Sequence, residues 1–136
     1  MTDVPPVGDH EELRALLQRY ARAADDRDVE ALAALFHPGA EVTGARGTQT
    51  IDEWLTGMRG PRTFPTSMHV IGDPLITFGP GPDEAVVDAY AVVHQLSDAS
   101  SDSGDLTLGI RYLDDVVKHG GSWVILRRTA HTLWMR

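Results

Sequence analysis

The chain contains no cysteine, which excludes disulfides, thiolate catalysis and cysteine zinc sites. Lysine is nearly absent too. Lys118 is the only one, and the other basic residues are arginines scattered along the sequence. With a formal net charge of −8, the chain lacks the clustered cations that a nucleic-acid backbone requires. Nucleic acid is therefore not an expected partner, and the negative balance reads as a solubility feature. No apolar run approaches the length of a membrane span. The opening MTDVPPVGDHEEL has neither the basic region nor the apolar stretch of a signal peptide. A soluble, cytoplasmic protein is expected. No G-x-G-x-x-G occurs, no glycine-rich phosphate loop runs into a lysine, and the six histidines are spread without ligand spacing. These absences lead to the expectation of no metal and no cofactor.

What is present fits one domain. The 136 residues are enough to bury a core without disulfide or metal staples. Residues 1–8, with Pro5-Pro6 and Gly8, read as a flexible lead-in, and residues 9–136 as the domain. Asp9 and Glu12 have capping-box spacing for a first helix. Its apolar face is Leu13, Leu16, Leu17, Tyr20, Ala21 and Ala24, the i, i+3, i+4 spacing of one helical stripe. Asp25, Asp26 and Asp28 interrupt it. A second stripe, Val29, Leu32, Ala33, Leu35 and Phe36, is expected to be capped by Asp28 and to stop at His37-Pro38-Gly39. Residues 40–49 suggest a brief strand and turn. Thr50 and Glu53 form a second capping box for a third helix, with Ile51, Trp54, Leu55 and Met58 on one face and an end near Gly60-Pro61.

The remainder is β-rich. Strands are expected over 68–71, 75–78, 85–96, 106–118 and 122–134, with a turn at Gly79-Pro80-Gly81-Pro82-Asp83 and a hairpin across His119-Gly120-Gly121. The polar stretch Ser97–Asp105 reads as a mobile loop. Helices first and then a run of strands predict an α+β fold. Leu17, Phe36, Trp54 and Ile110 are the expected core.

The run YARAADDRDVEALAALFHPGAEV, with Tyr20, Asp25, Asp28 and Leu35-Phe36-His37-Pro38, resembles the opening of SnoaL-like domains in the nuclear transport factor 2-like superfamily. Thr66-Ser67-Met68-His69, Arg111-Tyr112-Leu113-Asp114-Asp115, Gly121-Ser122-Trp123, Arg128 and Trp134 continue the match over roughly residues 10–134. The resemblance implies a cone: a curved antiparallel sheet wrapped by three N-terminal helices around a blind, mostly apolar cavity. It does not fix the reaction, because one fold hosts many activities.

Several residues can carry chemistry. His69 lies in the apolar context Met68-His69-Val70-Ile71. A buried histidine bonded to a backbone carbonyl is the plainer reading of that context; a proton-transfer base is the other. The resemblance favours the base, since in SnoaL-like dehydratases, dehydrochlorinases and the scytalone dehydratase group a histidine at this place abstracts the substrate proton. Asp25 is either a helix-end cap or the carboxylate that orients the imidazole; its five-residue offset from Tyr20 matches the family. Tyr20 is either a core aromatic or a hydroxyl that stabilises an enolate. In AVVDAYAVVHQ, Asp88, Tyr90, Val92 and His94 share one face by strict alternation. Tyr90 and His94 line the cavity if that face points inward, and meet solvent or another subunit if it does not. Trp54 is placed with the core and also with the substrate-binding residues. Arg128 can bind an acidic substrate group or, as the favoured reading, pair with Asp114 or Asp25.

The resemblance thus leads to a cofactor-independent acid–base lyase, dehydratase-like, acting on a hydrophobic carbonyl-bearing small molecule. His69, Asp25 and Tyr20 would be catalytic, and His94, Tyr90, Trp54 and Arg128 would bind substrate. A polyketide cyclase or isomerase-type enzyme could use the same pocket. Ketosteroid isomerases, however, carry an aspartate just after the first strand, where this chain has Val42-Thr43-Gly44-Ala45-Arg46. A non-catalytic ligand-binding or assembly domain is the rival from another class. Apolar residues on both alternations of 85–96 further suggest a homo-oligomer, dimer or trimer.

Overall fold

A computed structural model describes residues 7–98 and 104–136. The first helix, α1, spans Val7–Asp26. Its predicted stripe is buried throughout, from Leu13 at 0% exposure to Tyr20 at 5%. The helix starts ahead of the expected Asp9 cap, so Val7 and Gly8 are helical and not part of a lead-in; residues 1–6 lie outside the described residues. Asp9 sits in the first turn. It accepts a hydrogen bond from Trp123 Nε1–H at 3.0 Å and pairs with Lys118 at 3.3 Å, tying the helix start to the last hairpin.

The end of α1 is a tight turn. Asp28 N–H donates to Ala23 O at 2.9 Å and Arg27 N–H to Ala24 O at 3.3 Å, with Arg27 at φ 53°. This is the two-bond C-terminal motif whose left-handed position glycine usually fills. Asp28 then caps α2 (Val29–Ala34), accepting from Ala31 N–H at 3.1 Å. The second helix stops earlier than its stripe suggested. His37-Pro38-Gly39 belongs to the first strand, β1 (Phe36–Gly44), at a register irregularity between Phe36 and Glu41. Such an irregularity is where a strand tolerates proline.

Strand β2 is Gly47–Thr50 and α3 is Ile51–Arg59, with the Thr50–Glu53 capping box formed in both directions. Then follow β3 (Thr66–Ile71), β4 (Leu75–Phe78), β5 (Glu84–Leu96), β6 (Leu106–His119) and β7 (Ser122–Met135). The turn between β6 and β7 places Gly120 and Gly121 at φ 59° and 84°, the positive values that a two-residue hairpin requires. The polar loop before β6 lies largely at residues 99–103, outside the described residues.

The strands form one curved, unclosed seven-stranded sheet in the order β2-β1-β7-β6-β5-β3, with β4 also on β5. The sheet is antiparallel as expected, apart from the single pairing of β1 with β7, which is parallel. Register shifts within β6–β7 at Gly109/Ile110 and Asp115/Val116 add the local bending that bulges give. The inner face of β5 carries Ala85, Val87, Ala89, Ala91 and Val93, all at 3% exposure or less. Such small side chains leave room for the helical layer. Leu17 and Phe36 are core residues as expected, whereas Trp54 and Ile110 are only half-buried at its edge. No described helix is long and apolar enough to cross a membrane.

Two carboxylates staple the outer rim of the fold. Asp88 accepts both arms of Arg111, at 2.9 and 2.6 Å, and these bonds hold its carboxyl below the ordinary value of 3.8 despite partial burial. The Trp123 hydrogen bond does the same for Asp9, with Lys118 adding to it. Both pKa values are lower folded than unfolded. Their stabilisation is therefore complete above the unfolded value and is lost as pH falls through the folded one. Denaturant melts should show stability falling as the pH drops below 3.8. The combined Asp9→Asn and Asp88→Asn variant should be weaker at neutral pH and flatter in that acid window. An unchanged acid slope in the variant would refute this assignment.

Candidate active site

Helix α1 crosses the concave face of the sheet and contacts β3. That crossing delivers Asp25, in the last helical turn, to two side chains on one face of β3. Asp25 Oδ1 accepts from Ser67 Oγ–H at 2.9 Å and lies 2.6 Å from His69 Nδ1, while Oδ2 accepts from the His69 backbone N–H at 3.0 Å. An ionised carboxylate only accepts hydrogen bonds. Nδ1 of the neutral ring therefore carries the proton, and Nε2 keeps the lone pair. The side chains of His69 and Asp25 are 13% and 20% exposed, so the pair is shielded but reachable.

His69 opens onto a hollow made of two adjoining lobes of about 310 and 320 Å³. Tyr20, Arg27, Arg46, Trp54, Met58 and Thr63 border both lobes. The volume suits a small organic molecule. A wider groove of about 500 Å³ runs along α1 and α2 between Glu12, Arg19, Asp26 and Trp123. It contains no histidine and its charges are mixed, so of the two it is the two-lobed hollow that adjoins an imidazole.

Tyr20 stands edge-on to the His69 ring at 5.8 Å, and Trp54 stacks on it at 6.5 Å. Behind Tyr20 lies Arg128, 2% exposed, whose guanidinium sits 3.9 Å from the Tyr20 ring centre and 4.2 Å from that of Tyr112. Two parallel 2.8 Å bonds join it to Asp114, which is fully buried. Burial opposes the Arg128 charge, but the Asp114 charge and hydrogen bonds outweigh it and raise the guanidinium pKa. Burial likewise pushes the Tyr112 phenol well up, and neighbouring Tyr20 adds to the rise while Arg128 opposes it.

The structure thus brings Tyr20, Asp25, His69 and Trp54 to one place and sets Arg128 at its floor. It does not bring Tyr90 or His94 there. The inner phase of β5 is the Ala/Val one, so Tyr90 is 60% exposed on the outer face over Arg111. On that same face His94 contacts Thr107 Oγ at 3.2 Å. Gln95, one residue on, borders the cavity instead. Sequence reasoning missed Arg27, Arg46, Arg62, Ser67 and Gln95. Ser67 was findable, because it sits two residues before His69 and so on the same strand face. Arg27 and Arg46 lie in turns and Arg62 in irregular chain, with no periodic signal. Among the described residues no three His, Asp or Glu side chains converge as a metal site.

A bent sheet closed by helices, with a carboxylate-braced imidazole opening into a small cavity, is an α+β cone fold. The SnoaL-like domain profile matches residues 6–129, and the chain belongs to that family. Among solved structures it is similar to a protein from Novosphingobium aromaticivorans assigned as a scytalone dehydratase, with 25% identity, 96% of this chain and 87% of that one covered, and a TM-score of 0.86. A hexachlorocyclohexane dehydrochlorinase from Novosphingobium barchaimii shares the fold at 14% identity, with coverage of 99% and 93% and a TM-score of 0.83. So does a Nostoc punctiforme protein of unknown function, at 23% identity, 93% and 92% coverage and a TM-score of 0.76. A search among curated proteins gave no match.

Proposed function

We propose that the protein is an acid–base lyase that needs no cofactor and dehydrates a small, largely apolar carbonyl compound. The observation that carries this reading is the 2.6 Å contact between Asp25 and His69 Nδ1 beside the cavity. His69 Nε2 takes the proton from the carbon next to the carbonyl. Asp25 holds the ring in the tautomer that makes this possible and stabilises the imidazolium that results. Tyr20, at the cavity wall, donates its hydroxyl hydrogen to the carbonyl oxygen as charge gathers there. The imidazolium then returns the proton to the departing hydroxide, which leaves as water. The products are the unsaturated carbonyl compound and neutral His69. The likeness to a protein assigned as a scytalone dehydratase supports elimination as the reaction class.

The direct test uses aryl β-hydroxyketones, whose dehydration is read by ultraviolet absorbance and whose C–H exchange in D₂O is read by NMR. The wild-type protein should catalyse both. Exchange and elimination that are absent across the panel, or equally fast in His69→Ala, would refute the reading.

The outer face of the sheet supports a homo-oligomer. Met68, Val70, Leu75, Tyr90 and Leu133 are each 51–69% exposed there, on β3, β4, β5 and β7. Trp134 lies over Gly109 so closely that a Cβ on the glycine would strike the indole. A continuous apolar face of this kind is normally covered. Light scattering at micromolar protein should give a dimer or trimer, and Tyr90→Asp together with Val70→Asp should shift it to monomer. A monomeric wild-type protein would refute this assignment.

A further inference from the structure

The cavity is strongly cationic although the chain as a whole is acidic. Arg14, Arg59, Arg111, Arg127 and Arg128 each pair with a carboxylate. Arg27, Arg46 and Arg62, which border the cavity, pair with none among the described residues. Arg27 Nη1 meets only the Met58 carbonyl at 3.4 Å and sulfur at 3.0 Å. Arg62 makes one long contact, from Nη2 to Ser67 Oγ at 3.5 Å, and its Nε is buried with no partner. Asp25 makes no ion pair with any of the three; its oxygens accept from Ser67 and His69. Burial lowers the Arg27 pKa, and the like charge of Arg62 lowers it further, so the two guanidiniums lie close enough to repel while neither is ion-paired. Arg128 adds an independent sign at the floor. It is 2% exposed, it borders the second lobe, and its Nη1 has no hydrogen-bond partner.

Planar guanidiniums with free donors match carboxylate geometry, and charge-assisted bonds to them are about twice as strong as neutral ones. We propose that the substrate carries a carboxylate, which Arg27 and Arg62 bind while Arg46 steers it in from the rim. This deepens the lyase reading and rests on it only for the identity of the site. The apolar body of the substrate lies against Trp54, Met58 and Phe64. The anchored carboxylate fixes which carbon faces His69.

Benzoate and benzamide, equal in shape and different in charge, serve as probes by isothermal titration and amide NMR. Benzoate should bind about tenfold tighter or more, the equivalent of one charge-assisted bond. That margin should shrink in ~0.5 M salt, where the Debye length is a few ångström. The combined Arg27→Gln and Arg62→Gln variant should bind both probes alike. Arg46→Glu, at an exposed rim position, should weaken benzoate alone without threatening the fold. Equal binding of the two probes to the wild-type protein, or a benzoate preference that survives loss of Arg27 and Arg62, overturns the proposal. His69→Ala should keep the benzoate preference while losing turnover, which separates the two readings. Preference with unimpaired His69→Ala turnover sinks only the acid–base role. Turnover lost in His69→Ala with no preference sinks only the carboxylate site.

Discussion

Replacing His69 with alanine should lower turnover by about a hundredfold or more, the ordinary scale for removing a general base. Asp25→Asn should be nearly as damaging, for a reason visible in its hydrogen bonds. Asp25 accepts three of them, from the Ser67 hydroxyl, the His69 amide and His69 Nδ1. An asparagine has one accepting oxygen and an NH₂ that must donate. It can satisfy the strand through its oxygen only by presenting a donor to Nδ1, which drives the ring proton to Nε2, the atom that has to be bare. The two residues act as a unit, so the double variant should be scarcely worse than either single one. Substrate affinity should change less than turnover, because Tyr20, Trp54, Met58 and the cavity arginines supply most of the lining. Steady-state kinetics with a substrate found in the dehydration screen would measure all three variants. A His69→Ala enzyme with wild-type kcat would end the acid–base account.

The largest stability effect is expected at Arg128. Truncation to methionine keeps much of the volume but leaves the Asp114 carboxylate at 0% exposure with no cation. Breaking a buried pair by removing one partner costs about 3–5 kcal/mol. For a chain of this length that corresponds to a fall in Tm on the order of 10–20 °C. Lysine should not restore it, since a single ammonium cannot form the two parallel bonds to Asp114 while it contacts the Tyr20 and Tyr112 rings. Adding Asp114→Leu to Arg128→Met should recover much of the loss, because a well-packed apolar pair removes the stranded charge. Thermal melts of the four proteins decide this. A single Arg128→Met variant melting close to wild type would show that Asp114 finds another partner.

Local signals carried most of the fold. The α1 stripe and the Thr50–Glu53 box stand in the structure where the pattern put them, because each depends on residues a few positions apart. The inward phase of β5 was not legible. Both alternations of AVVDAYAVVHQ are apolar enough to be buried, and side-chain size against the helical layer chose the Ala/Val face. That choice sent Tyr90 and His94 outward. The parallel pairing of β1 with β7 was equally hidden, since it joins segments far apart in sequence. At the site, the elements that carry Asp25 and His69 were readable, and the family pattern suggested that they meet. The cationic wall was not readable, since Arg27 sits inside an acidic run and Arg62 in a segment without periodicity.

The turn at Arg27 bears on how this chain could drift. Its backbone is left-handed at that residue, a conformation that disfavours any residue with a Cβ by roughly 1–2 kcal/mol relative to glycine. Both hydrogen bonds of the turn come from the main chain, so glycine would close it equally well. Selection for stability alone would move position 27 toward glycine. Relatives that retain arginine at this left-handed position would therefore mark themselves as chains kept for what the side chain does inside the cone, and relatives with glycine there would be expected to have lost the same ligand.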